Sequence, residues 1–110
     1  MVWLKHDTES KMSSPVELTI ALNTKWLAHY GAKSMSGNCG KLACLLRDAL
    51  IRHGYKGHVA SGTVKGFIGN HAWIVCNGQI LDPSVNQFGN FPVTDNALEY
   101  HEERRMEFYL

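Results

Sequence analysis

The chain has 110 residues, of which 45% are apolar and 19% charged, and its formal net charge is +1. That is enough for one compact domain, and the composition favours a packed core over a disordered chain. Lysines and arginines are scattered, so there is no electrostatic case for nucleic acid or an anionic membrane as partner.

Residues 1–13 mix charged groups with Val2, Trp3 and Leu4 and read as an arm, with room for a short strand. Ser14-Pro15-Val16-Glu17 then has the pattern of a helix start: a capping serine, a proline at the first helical position and a glutamate that completes a capping box. Leu18, Leu22, Trp26 and Tyr30 recur every four residues as one apolar face, and Gly31 ends the helix. A loop of small residues, Ala32–Asn38, follows. The second helix runs from about Cys39 to His53, with Leu42, Leu45, Leu46, Ala49 and Leu50 as its buried stripe and Gly54 as its stop. Tyr55–Val64 alternates weakly and reads as a strand. Lys65–Asn70 reads as a mobile loop. His71–Cys76, Asn77-Gly78 and Gln79–Ser84 form a β-hairpin signal, since Asn-Gly suits a two-residue type I′ turn. In the last stretch a short helix is expected near Ala97–Glu103 and a final strand at Met106–Leu110. The expected core spans about residues 14–90.

The hairpin sets a register. A two-residue turn at Asn77-Gly78 pairs Cys76 with Gln79, Trp73 with Asp82 and His71 with Ser84. Opposed residues share a face of the sheet, so His71 and Asp82 become diagonal neighbours, roughly 7–8 Å apart at the backbone. A slip of one residue would separate them. Cys39, in Gly37-Asn38-Cys39-Gly40, sits where loop becomes helix. The unpaired N–H groups and partial positive charge of a first helical turn lower a thiol's pKa. A thiol, an imidazole and a carboxylate so placed are a nucleophile, a base and an orienter: Cys39, His71 and Asp82. Asn38 and the backbone N–H of Gly40 are candidate oxyanion donors, and Trp73 a candidate substrate contact whose commoner role is core packing.

The other titratable residues have plainer readings. Cys44 falls mid-helix and Cys76 on the hairpin face away from His71, so both read as small core residues. His6, His29, His53, His58 and His101 read as satisfied core or surface groups. Three cysteines without CxxC spacing argue against a disulfide framework and fit a reducing compartment. No two of Cys39, His71 and Asp82 have the close spacing of zinc ligands, so neither a metal nor another cofactor is expected. With no signal-peptide pattern and no membrane-length apolar run, a cytoplasmic location is expected.

At Gly37-Asn38-Cys39-Gly40 with its Leu-rich helix, His71-Ala72-Trp73-Ile74-Val75, Asn77-Gly78 and Ile80-Leu81-Asp82-Pro83-Ser84, the chain resembles the transglutaminase-like branch of the papain-like cysteine enzymes. The likeness covers about residues 30–90. It implies an α+β fold with the cysteine helix packed on an antiparallel sheet, and a Cys-His-Asp triad at Cys39, His71 and Asp82. It also implies thiol chemistry on an amide of a protein or peptide, as a peptidase, amidase, deamidase or acyltransferase. The chain departs from the family in its small size, in lacking an N-terminal lobe, and in carrying Asn38 where some members have an aromatic. Cleft walls would then come from residues 1–38 and 85–110 or from a partner. The alternative from another class is a binding module, such as a host-directed effector or inhibitor, that keeps the triad without using it.

Overall fold

The computed structural model describes residues 13–109. Over these the chain is an α+β unit, two helices packed on a four-stranded antiparallel sheet. Helix α1 is Pro15–Tyr30 and α2 is Cys39–Arg52. The strands are β1 (Gly57–Val64), β2 (His71–Cys76), β3 (Gln79–Leu81) and β4 (Tyr100–Phe108), in the sheet order β3-β2-β1-β4. Single 3-10 turns occupy Ala32–Met35 and Val85–Gln87. Residues 1–12 of the expected arm 1–13, His6 among them, and Leu110 of the expected final strand lie outside the described residues.

The capping box that opens α1 is complete. Ser14 Oγ accepts from the Glu17 N–H at 3.1 Å, and Glu17 Oε1 accepts from the Ser14 N–H at 2.8 Å. At the other end Gly31 has φ 79°, which a side chain would resist. The buried face of α1 is not the expected Leu18-Leu22-Trp26-Tyr30 stripe. Thr19 and Asn23 are the buried residues, Leu18 and Leu22 flank the core, and Tyr30 is exposed. Thr19 can be buried because its hydroxyl donates to the Pro15 carbonyl at 2.7 Å. Asn23 can because its amide reaches across to Pro83 O (2.9 Å) and Asn86 Oδ1 (2.8 Å).

In α2, Leu42, Ala43, Leu46 and Leu50 face the sheet, while Leu45, expected in the stripe, is exposed. The core cluster joins Ala43, Leu46 and Leu50 to Ile74, Cys76, Leu81 and Phe108. The core therefore extends past residue 90. The expected loop Ala32–Asn38 contains a 3-10 turn whose Met35 is fully buried.

The hairpin has the expected register, with Cys76 opposite Gln79 and Ile74 opposite Leu81. Both turn residues have positive φ, Asn77 at 54° and Gly78 at 74°, as a type I′ turn needs. Strand β3 is shorter than expected and stops at Leu81. Asp82-Pro83-Ser84 leaves the ladder as a buried turn, its Asp82 N–H bonded to Val93 O at 3.0 Å.

The expected helix at Ala97–Glu103 does not form, and Tyr100–Phe108 is a strand instead. Its charged run supplies little for helix packing, whereas its backbone completes the open side of β1. β4 is an edge strand with mostly exposed side chains, and its mixed charges discourage pairing with another chain. Between Ser61 and Gly62 the β1–β4 register shifts by one residue: Arg104 faces Ser61 and Glu102 faces Gly62, leaving Glu103 as a bulge. Gly62 permits this close approach, because a Cβ there would run into the His101 carbonyl oxygen. The bulge changes the parity of the strand. It puts Tyr100 and Glu102 on the same face as Trp73 and His71.

Candidate active site

Three elements meet at Cys39. The N-terminus of α2 carries the half-buried thiol, the first residue of β2 supplies His71, and the turn after β3 supplies Asp82. Because β3 ends at Leu81, the ladder beside β2 stops at Ile74 and the edge at Ala72 is left to α2. The Cys39 thiol is held below the ordinary thiol range. A hydrogen bond from His71 is the main cause; burial opposes it, and the Ala72 N–H, the His71 charge and the Gly40 N–H add to it.

The imidazole is anchored on its other side. His71 Nε2 donates to Asp82 Oδ2 at 2.7 Å, with side chains 2% and 0% exposed. Asp82 Oδ1 accepts from the Ser84 N–H and hydroxyl, each at 3.1 Å. Asp82 Oδ2 also accepts from the Tyr100 hydroxyl at 2.7 Å. Four donors therefore satisfy a carboxylate that water does not reach. Burial pushes the His71 pKa down, but the hydrogen bonds and charges of Asp82 and Cys39 outweigh it and raise the pKa to about 9.

Gln87 lies on the third side. Its Nε2 donates to Ser84 O at 3.2 Å and lies 3.3 Å from His71 Nδ1. A carbonyl oxygen can only accept, so the Gln87 atom there is its nitrogen, and Nδ1 receives the second contact as an acceptor. That orientation puts the neutral ring's proton on Nε2, toward Asp82, and leaves Nδ1 to take the thiol's proton. Once protonated, Nδ1 donates toward Cys39 while Gln87 keeps its bonds to Ser84.

Aromatic rings hold the imidazole in place. Trp73 stacks on it with centroids 5.9 Å apart, Phe88 meets it edge-on at 4.8 Å, and Phe67 packs on Phe88 at 4.5 Å. Trp73, a candidate substrate contact whose commoner role is core packing, is only 1% exposed. Its ring lies between those of His71 and Tyr100, which makes it the floor of the site.

Asn38, the expected oxyanion donor, is engaged within its loop. Its Nδ2 donates to Ser34 O at 2.7 Å and its backbone N–H to Met35 O at 2.9 Å. Gly40 is exposed, with open space where a side chain would stand. Its N–H, one of the unpaired donors of the first helical turn, is the smallest of the influences that lower the Cys39 pKa.

Sequence reasoning missed Asn23, Gln87 and Tyr100. Asn23 had a signal, a polar residue among apolar positions of α1 that burial obliges to find partners. Gln87 and Tyr100 had none, since both lie in the segment whose local pattern is weakest.

Outside this cluster Cys76 is buried, its thiol pushed up by desolvation and donating to Lys56 O at 3.4 Å. His53 Nδ1 lies 2.9 Å from Ala49 O, and His58 pairs with Glu102 at 2.6 Å. Among the described residues there is no cluster of three or more His, Cys, Asp or Glu able to hold a metal, and no helix long and apolar enough to cross a membrane. No family model, no curated protein and no solved structure matches the chain.

Proposed function

We propose that the protein is a cysteine-dependent hydrolase or acyltransferase acting on an amide bond of a protein or peptide, on a transglutaminase-like, papain-like scaffold. The observation that carries this reading is the buried His71–Asp82 hydrogen bond, set beside a thiol at the start of α2 whose pKa His71 lowers. Buried histidine–carboxylate pairs are common. One whose histidine also lowers the pKa of a half-buried thiol, beside helix N–H donors, has the parts of a nucleophilic site.

The chemistry follows from the positions. Cys39 gives its proton to His71 Nδ1, and Asp82 stabilises the imidazolium that forms. The thiolate attacks the amide carbonyl carbon, and the electron pair moves to oxygen. Free N–H groups at the first turn of α2 are the nearest source of stabilisation for that oxyanion. The tetrahedral intermediate collapses by breaking the C–N bond, and His71 returns its proton to the leaving nitrogen. A thioester on Cys39 remains. Water or an amine, deprotonated by His71, attacks it and regenerates the thiol. Hydrolysis of a side-chain amide gives deamidation, of a backbone amide gives cleavage, and an amine acceptor gives a crosslink.

The test has two steps. Limiting iodoacetamide at neutral pH should modify Cys39 ahead of Cys44 and Cys76, because its lowered pKa raises the share of thiolate there. Its imidazolium partner should persist until the pH rises through about 9. Incubation of the chain with candidate proteins, read by mass spectrometry, should then give a mass gain of about one dalton, a cleavage or a crosslink that Cys39→Ala abolishes. Preferential labelling of Cys44 or Cys76 would remove the assignment.

A further inference from the structure

Two donors share one oxygen of Asp82, and only one of them belongs to the proposed triad. His71 Nε2 and the Tyr100 hydroxyl each lie 2.7 Å from Oδ2. We infer that Tyr100 is a positioning residue that sets the basicity of His71 through the carboxylate they share. This rests on the reading of His71 as the general base and adds the group that tunes it.

The tuning follows from the electrostatics of a shared acceptor. Each donor that binds an oxygen draws on its negative charge and weakens what the oxygen offers the other. Tyr100 therefore moderates the pull of Asp82 on the imidazolium proton. A base held too strongly protonated cannot return its proton to a leaving group, so moderation serves turnover.

Tyr100 is fitted for this role. Burial, and then the Asp82 charge, push its own pKa above the ordinary phenol range, so it remains a neutral donor. Asn96 Nδ2 donates to the phenolic oxygen at 3.2 Å, which orients the O–H toward Asp82. The ring is braced by Trp73 at 4.9 Å. Its place depends on the Glu103 bulge, since regular pairing along β4 would turn Tyr100 to the opposite face.

The titratable groups that face His71 are few. Cys39 comes from α2, Asp82 from the turn after β3 and Tyr100 from β4. Glu102, on the same face of β4, is bound to His58 and Arg105. A change at Tyr100 is therefore read at His71 with little interference.

The experiment is an NMR titration of the His71 imidazole in the full chain, in the wild type and in Tyr100→Phe. The phenylalanine keeps the ring on Trp73 and deletes only the donor. The His71 pKa should rise by about 0.5 unit or more, roughly a threefold change in its protonation constant. Site-specific 3-fluorotyrosine at position 100, a stronger donor, should lower it, and this variant carries the test should Tyr100→Phe fail to fold. A purely structural tyrosine would leave the His71 titration unmoved in both, and that result, or a fall in Tyr100→Phe, overturns the inference. Failure of the proposed function would appear elsewhere, in the labelling of Cys39, because the imidazole titrates whether or not the thiol reacts with a substrate.

Discussion

One face of the sheet carries two histidine–carboxylate pairs of nearly equal length. His71–Asp82 spans 2.7 Å and His58–Glu102 spans 2.6 Å. Distance does not distinguish them; surroundings do. Asp82 is fully buried, with four donors on its two oxygens, and the second nitrogen of its histidine faces a thiol and a carboxamide. Glu102 is 26% exposed and divides its oxygens between His58 and Arg105, with the His58 hydrogen bond the main reason its carboxyl lies below the usual range. The first pair is held in one orientation beside a thiol; the second ties β4 to β1. What meets the other ring nitrogen separates a candidate site from a structural contact.

The widest separation between the pairs should come from neutralising each carboxylate. Asp82→Asn should lower turnover by at least about 10-fold and as much as about 10⁴-fold, because it removes the charge that supports the imidazolium and fixes its tautomer. Glu102→Gln should leave turnover within about twofold, since that pair touches nothing in the site. Steady-state rates on an identified amide substrate, with thermal melts as the control, make the comparison. Equal losses in the two variants would remove the distinction drawn between the pairs.

Gly62→Ala should disturb both pairs, because Tyr100 and Glu102 reach their partners through the bulge that Gly62 permits. The added methyl would meet the His101 carbonyl. A loss of about 3 kcal/mol is expected, the upper end of the cost of an overpacked methyl. Denaturant unfolding measures it, and an unchanged midpoint would mean that the bulge is not essential.

Asn23→Ala should act on one pair only. It leaves the Pro83 carbonyl without its donor and loosens the turn that presents Asp82, at a cost of about 1–2 kcal/mol. His71 should then show a broadened or shifted NMR titration while the His58 signals stay as they were. Parallel changes at both histidines would show that α1 acts on the whole sheet and not on the Asp82 turn.

Much of this site was legible because it rests on local rules. Asn77-Gly78 dictates a tight turn, the turn dictates register, and register puts His71 and Asp82 on one face. The Ser14-Glu17 box and the glycine after Tyr30 bound α1, and the apolar spacing of α2 begins at Cys39. Each of these is settled within a few residues by backbone geometry and capping, so the order of elements could be read along the chain.

The tertiary structure decided what depends on distant partners. The buried face of α1 is polar because Asn23 finds Pro83 and Asn86, sixty residues away and more. Residues 100–103 are strand and not helix because β1 offers an unpaired edge, and a single bulge there chooses which β4 side chains face the site. Trp73 is buried under His71 because Tyr100 packs against its ring. By itself the sequence determined which residues could be nucleophile, base and orienter, and which elements carry them. Long-range pairing decided the rest, because one residue of register reverses the face a side chain occupies, and no local propensity reports that.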